Sequence, residues 1–263
     1  MKKEKPFYIG SQEEMPKEHR SAIKKLIIPI FIALPIFAFV IIYFQKGFNN
    51  HQFEFGQLSE LTGIYHSKPV PILEVTEKGL AEGLSKQVLL VGYGKFGAEG
   101  IMESIEKSNE ALLDGKKITL QGTLIHGDGK TLLELTQTEK SLLEVHKDVI
   151  ARKSKNNTFT AVTMKGEILD PKCYFGVMKP AEGKIHKSCA IRCISGGIPP
   201  VLRIISEQNE NKYYILLGEN GDKINQQVLD KIAEPVEISG KTTTMNGWDY
   251  LYSNPESIQI IKQ

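Results

Sequence analysis

All three cysteines of the chain, Cys173, Cys189 and Cys193, fall in one stretch, and His186 stands between them. Thiolates and an imidazole are ligands for Zn(II), and soft sulfur also suits Cu(I). The spacing His186-x-x-Cys189-x-x-x-Cys193 places these side chains at i, i+3 and i+7. A helix over 186–194 would carry them on one face. Gly196-Gly197 then ends that helix, and Pro199-Pro200 prevents its resumption. Cys173, from the preceding loop, completes a candidate four-ligand set of Cys173, His186, Cys189 and Cys193. Met178 offers an additional thioether for copper, and Lys184, Lys187 and Arg192 supply positive charge that favours thiolate. The expected occupant is Zn or Cu, or a redox cofactor.

Other chemistries are open to the same residues. A disulfide from Cys173 to Cys189 or Cys193 would staple the stretch to itself and leave one spare thiol, which suits an oxidising compartment. The protein would then be a non-catalytic envelope scaffold. A thiol oxidoreductase is the third reading. No Cys-x-x-Cys, zinc-ribbon or Cys-x-x-Cys-His pattern occurs, so thioredoxin-type redox and covalent haem are not signalled. No Ser-His-Asp arrangement can be singled out either, and nothing in the sequence names a reaction.

The stretch interrupts a repeat. Pro71-Ile72-Leu73-Glu74-Val75 resembles Pro200-Val201-Leu202-Arg203-Ile204. Lys86 to Gly92 resembles Lys212 to Gly218, and Ile118 to Gly122 resembles Val236 to Gly240, in the same order. Gly63-Ile64 and Gly166-Glu167-Ile168 precede the two sets. Each unit reads as three strands, a helix, then two strands, the order of a five-stranded Greek-key barrel of the OB type. The expected fold is therefore mainly β, with two tandem OB-like domains and one helix per unit. In the first unit the helix is expected over Glu99–Leu113, with Ile101, Ile105, Leu112 and Leu113 on its apolar side. In the second, Ile224, Val228 and Ile232 recur at spacing four after Asp222 and predict the equivalent helix. Asp128-Gly129 and Asn246-Gly247 occupy matching places as hairpin turns. From Gly63 to Pro71 the chain advances eight positions, and from Gly166 to Pro200 thirty-four, so the second unit carries about 26 extra residues there. The insertion, at about 172–199, holds every cysteine and lies in a loop that OB barrels use for ligands.

Gly92-Tyr93-Gly94-Lys95-Phe96-Gly97 has the form of a dinucleotide fingerprint between a strand and a helix. It lacks the acidic residue that would hold a ribose after the next strand, and its counterpart Gly218-Glu219-Asn220-Gly221 has lost the pattern. A glycine-rich strand-to-helix turn is the expected role.

The remaining layout follows from composition. Leu26 to Phe44 is 19 residues without a charge, long enough as a helix to cross a bilayer core of about 30 Å. Lys17, Arg20, Lys24 and Lys25 precede it, and only Lys46 follows closely, so the N-terminus is expected in the cytoplasm and the rest outside the cell membrane. The span reads as an uncleaved signal-anchor. The expected plan is a cytoplasmic tail over 1–23, a transmembrane anchor over 24–46, barrels over 50–145 and 161–263, and a linker over 146–160. A net charge of +2, with basic residues spread among acidic ones, gives no case for nucleic acid. The expected partners are the membrane itself and another membrane or envelope protein, in a periplasmic or equivalent space.

Overall fold

The computed structural model describes residues 14–45, 51–76, 80–81, 83–150, 158–208 and 210–261. Residues 1–13 of the tail expected over 1–23, and residues 151–157 of the linker expected over 146–160, lie outside them. Residues 1–49 and 50–263 form two separate units.

The first unit is helix α1, Lys17–Gln45, with Pro29 and Pro35 inside it. Its stretch Lys17–Phe44 is long and apolar enough to cross a membrane. The large apolar side chains from Leu26 to Phe44 are exposed.

The second unit is built from two closed five-stranded barrels. In the first, strands β2 (Ser59–His66), β3 (Ile72–Val75), β4 (Gln87–Gly92), β5 (Lys116–Gly127) and β6 (Lys130–Leu135) pair in the order β5-β2-β3-β4-β6 and close through β5–β6. All pairs are antiparallel except β4–β6. A short strand β1 (Gln52–Phe53) and strand β7 (Leu142–Ile150) also pair with β5. The second barrel uses β8 (Thr160–Leu169), β9 (Val201–Ile205), β10 (Asn211–Leu217), β11 (Pro235–Met245) and β12 (Trp248–Tyr252) in the same order, again with one parallel pair, β10–β12. Strand β13 (Gln259–Ile260) pairs antiparallel with β11.

The repeat read from the sequence is a repeat of backbone contacts. Leu90 N donates to Pro71 O at 2.9 Å, and Leu216 N donates to Pro200 O at 2.9 Å. The matched glycines serve one purpose. A Cβ on Gly63 or Gly166 would stand 2.3 or 2.2 Å from a carbonyl oxygen of the next strand, and on Gly122 or Gly240 2.3 or 2.2 Å from another. Tightly curved strands press together there, and only glycine leaves room. Both two-residue hairpins form as expected, with positive φ at Asp128 and Gly129 and at Asn246 and Gly247.

Strand alternation divides the apolar side chains among three cores. Leu73, Val88, Leu90 and Leu133 fill the first barrel with Met102 and Ile105 of helix α2 (Glu99–Ser108). Leu202, Leu216 and Leu251 fill the second. Their neighbours in the same strands, Ile72, Leu89, Val91 and Leu132 from one barrel and Val201, Ile215, Leu217, Trp248 and Tyr250 from the other, meet in a third core. Trp248 Nε1 crosses this joint to donate to Gln87 O at 3.0 Å.

Three sequence expectations need correction. The first-unit helix stops at Ser108, and Leu112 is 77% exposed, although Leu113 is fully buried beyond the helix end. The second unit has no helix between its third and fourth strands. Residues 222–232 form turns and one short 3-10 turn, Leu229–Lys231. Ile224, Val228 and Ile232 are still buried in the second core, so the apolar spacing reported burial correctly but not conformation. Asn225 ties these turns to the end of the insertion: its Nδ2 donates to Ile194 O (2.7 Å) and Ile198 O (2.9 Å). The second unit's helix is instead α3 (Lys187–Ser195), inside the insertion, whose Ala190 and Ile194 pack on that core. Finally, the polar joining segment expected from His146 begins within β7, which pairs with β5 as far as Ile150.

Candidate metal centre

The insertion folds as two helical pieces. Three residues separate the end of β8 from the π-helical turn Cys173–Val177, and α3 follows a stretch of turns. Helix α3 starts one residue after His186 and ends at Gly196, close to the expected limits. Gly197, with φ 102°, turns the chain toward β9. Ala181, Tyr174 and Phe175 place the insertion in the third core, so it lies in the joint between the barrels. His51 Nδ1 donates to Tyr174 O at 2.8 Å from the first-barrel side.

The first barrel grips the insertion through its glycine turn. Gly97 N donates to Gly196 O at 3.0 Å. Lys172, only 4% exposed, donates through its ammonium to Gly92 O (2.8 Å), Gly94 O (2.6 Å) and the buried Glu134 carboxylate. Gly94 N donates to that same carboxylate at 3.2 Å. The fingerprint-like turn thus aims carbonyl oxygens at a lysine. A phosphate needs N–H groups there, so the turn is a packing surface and not a nucleotide cradle.

Cys173, His186 and Cys189 come together at this joint, with Sγ, Sγ and one imidazole nitrogen all within 4.8 Å of one another. The sulfurs of Cys173 and Cys189 are 3.9 Å apart, and all three cysteines are free thiols. His186 is 2% exposed, and neither ring nitrogen has a hydrogen-bond partner. Burial holds its pKa below the ordinary histidine value; the nearby Lys95 charge adds to this, and Asp170 opposes it. A neutral imidazole with a free lone pair is the state that binds metal.

Cys193 does not join this group. Its sulfur lies within 4.8 Å of Cys173 and a carboxylate oxygen of Asp170, which makes a second triad sharing Cys173. The expected four-ligand set is therefore two overlapping threes. The Cys173 thiol is pushed well up from its usual value by its hydrogen bond with Cys193, then by burial and by the Asp170 charge. Without a cation this sulfur holds its proton. A metal ion would displace that proton.

Two residues were missed by sequence reasoning. Lys95 Nζ donates to Cys189 Sγ at 3.0 Å, and this bond raises the lysine pKa. Asp170 is fully buried, and its Oδ1 accepts from Lys172 N at 2.9 Å. Lys95 sits inside the glycine motif and Asp170 three positions before Cys173, but only the fold brings them to the sulfurs. Of the lysines expected to supply charge, Lys187 turns away to Glu234, 2.7 Å from it. Met178 is 39% exposed. No family model, curated protein or solved structure matches the chain.

Proposed function

We propose that the protein is a membrane-anchored metal-binding protein, with Cys173, His186 and Cys189 as the ligands of a Zn(II) or Cu(I) ion. The observation that carries this reading is the buried triad itself. A histidine with both ring nitrogens unpartnered costs stability unless something binds them. Two thiol sulfurs stand within 4.8 Å of it. Two thiolates and a neutral imidazole would cancel the charge of one divalent ion, which favours Zn(II). For Cu(I), the Lys95 ammonium would offset the remaining negative charge.

The same proposal takes both barrels as tandem OB-like domains. Their strand order and single parallel pair support it. Helix α1 anchors the chain in the cell membrane with its N-terminus cytoplasmic, and the barrels present or pass the ion to a membrane or envelope partner outside. A second reading rests on the Cys173–Cys189 approach of 3.9 Å. A small side-chain rotation would allow a disulfide, with Cys193 as the spare thiol, and the protein would be a scaffold.

The test is metal analysis and thiol counting on the full-length chain purified in detergent. Stoichiometric zinc or copper, lost in Cys189→Ser, is expected. No metal above background with a single titratable thiol would reject the metal site and support the scaffold. Protease protection of the barrels in intact cells checks the orientation.

A further inference from the structure

We propose that Asp170, Cys173 and Cys193 form a second metal position, adjoining the first and sharing the Cys173 sulfur with it. This rests on the reading of Cys173, His186 and Cys189 as a metal site and adds a second ion, taking both as Zn(II).

The geometry supplies the ligands. The Asp170 carboxylate and the sulfurs of Cys173 and Cys193 lie within 4.8 Å of one another. All three residues are buried, at 0%, 7% and 1% exposure. Asp170 Oδ2 has no hydrogen-bond partner. A buried carboxylate oxygen without a partner is costly, and a cation beside it removes the cost. The local backbone explains the sharing. Cys173 opens the π-helical turn after β8, three residues beyond Asp170, while Cys189 and Cys193 stand one turn apart on α3. Cys173 therefore faces two successive turns of α3, each with a cysteine. A thiolate has lone pairs enough for two metal ions.

The ligand charges accommodate a second ion. With one divalent ion on Cys173, His186 and Cys189, the ligand charge is cancelled, and the Asp170 carboxylate stays buried without a counter-ion. With a second divalent ion, the carboxylate and the Cys193 thiolate cancel the added charge. The four anionic ligands then match the charge of two divalent ions, with Lys172 already paired to Glu134 and the Lys95 ammonium at the exposed edge beside Cys189.

The experiment is zinc titration of the full-length, reduced, metal-stripped chain in detergent, with bound zinc counted after gel filtration. Two zinc ions per chain are expected. Asp170→Asn and Cys193→Ser should each bind one, and Cys173→Ser none. One ion per chain in the wild type, unchanged in Asp170→Asn, would overturn the second position and leave the first standing. No zinc in the wild type would overturn both. If Asp170→Asn fails to fold, Cys193→Ser supplies the same comparison.

Discussion

Gly97 and Gly197 are pressed backbone to backbone: a Cβ on Gly97 would stand 2.3 Å from the Gly197 carbonyl oxygen. The turn that leaves β4 and the turn that ends α3 therefore depend on each other, and the first barrel, which has no cysteine, helps to set the position of the sulfurs. Gly97→Ala should destabilise the protein by about 3 kcal/mol, because the clashing atoms are backbone and cannot yield. Gly94→Ala is the control. Its φ of 65° strains an alanine, but nothing lies within 4 Å, so about 1 kcal/mol is expected. Urea unfolding of both variants compares them. Equal losses would contradict the packing role assigned to the turn.

The Lys172–Glu134 pair gives a sharper asymmetry. Lys172→Met leaves the Glu134 carboxylate and the carbonyls of Gly92 and Gly94 without their donor. A loss of about 3–5 kcal/mol is expected, as for other broken buried pairs. Adding Glu134→Leu should recover much of it. A double variant no more stable than Lys172→Met would show that the pair is not the source of the loss.

His186 should be a residue kept at a cost to stability. Replacing it with Phe removes two unpartnered buried nitrogens, and the metal-free protein should gain about 1 kcal/mol. Zinc binding by Cys173 and Cys189 should weaken, and the stabilisation that zinc at this position gives the wild type should be lost, leaving only that from the second position. Thermal melts with and without zinc report both effects. A less stable metal-free variant would indicate that the imidazole is already satisfied by packing.

Asp128 links the barrels and should make the joint sensitive to acid. Burial pushes its carboxyl pKa up, but hydrogen bonds outweigh this and hold it below the usual value. Tyr213 Oη donates at 2.5 Å and Asn211 Nδ2 at 2.9 Å, and His51 Nε2 stands 3.2 Å away. The folded state thus binds its proton less readily than the unfolded state. Its contribution is complete above the unfolded value of 3.8 and is lost as pH falls through the lower folded value. Asp128→Asn should cost about 1–2 kcal/mol at pH 7, and the difference should close at acid pH. A pH-independent difference would rule out titration of this group.

Much of the plan was legible because repetition and alternation are properties of the sequence. The glycines at 63, 122, 166 and 240 mark places where barrel geometry leaves one choice, and Pro71 and Pro200 accept equivalent backbone bonds. The three cysteines and His186 were legible by residue type. The split into two triads was not, because it depends on how the π-helical turn after β8 meets α3. Lys95 was hidden for another reason. It belongs to the other barrel, and no local pattern links residues so far apart in the chain. The missing helix at 222–232 is the converse case, where a buried spacing of four was met by turns that Asn225 ties to the end of α3.

The central claim is that the Cys/His site binds metal, and X-ray absorption at the zinc edge of the zinc-loaded, full-length chain tests it most directly. The account predicts sulfur scatterers at about 2.3 Å together with imidazole nitrogen at about 2.0–2.1 Å. A shell of oxygen and nitrogen alone, with no sulfur, would contradict it.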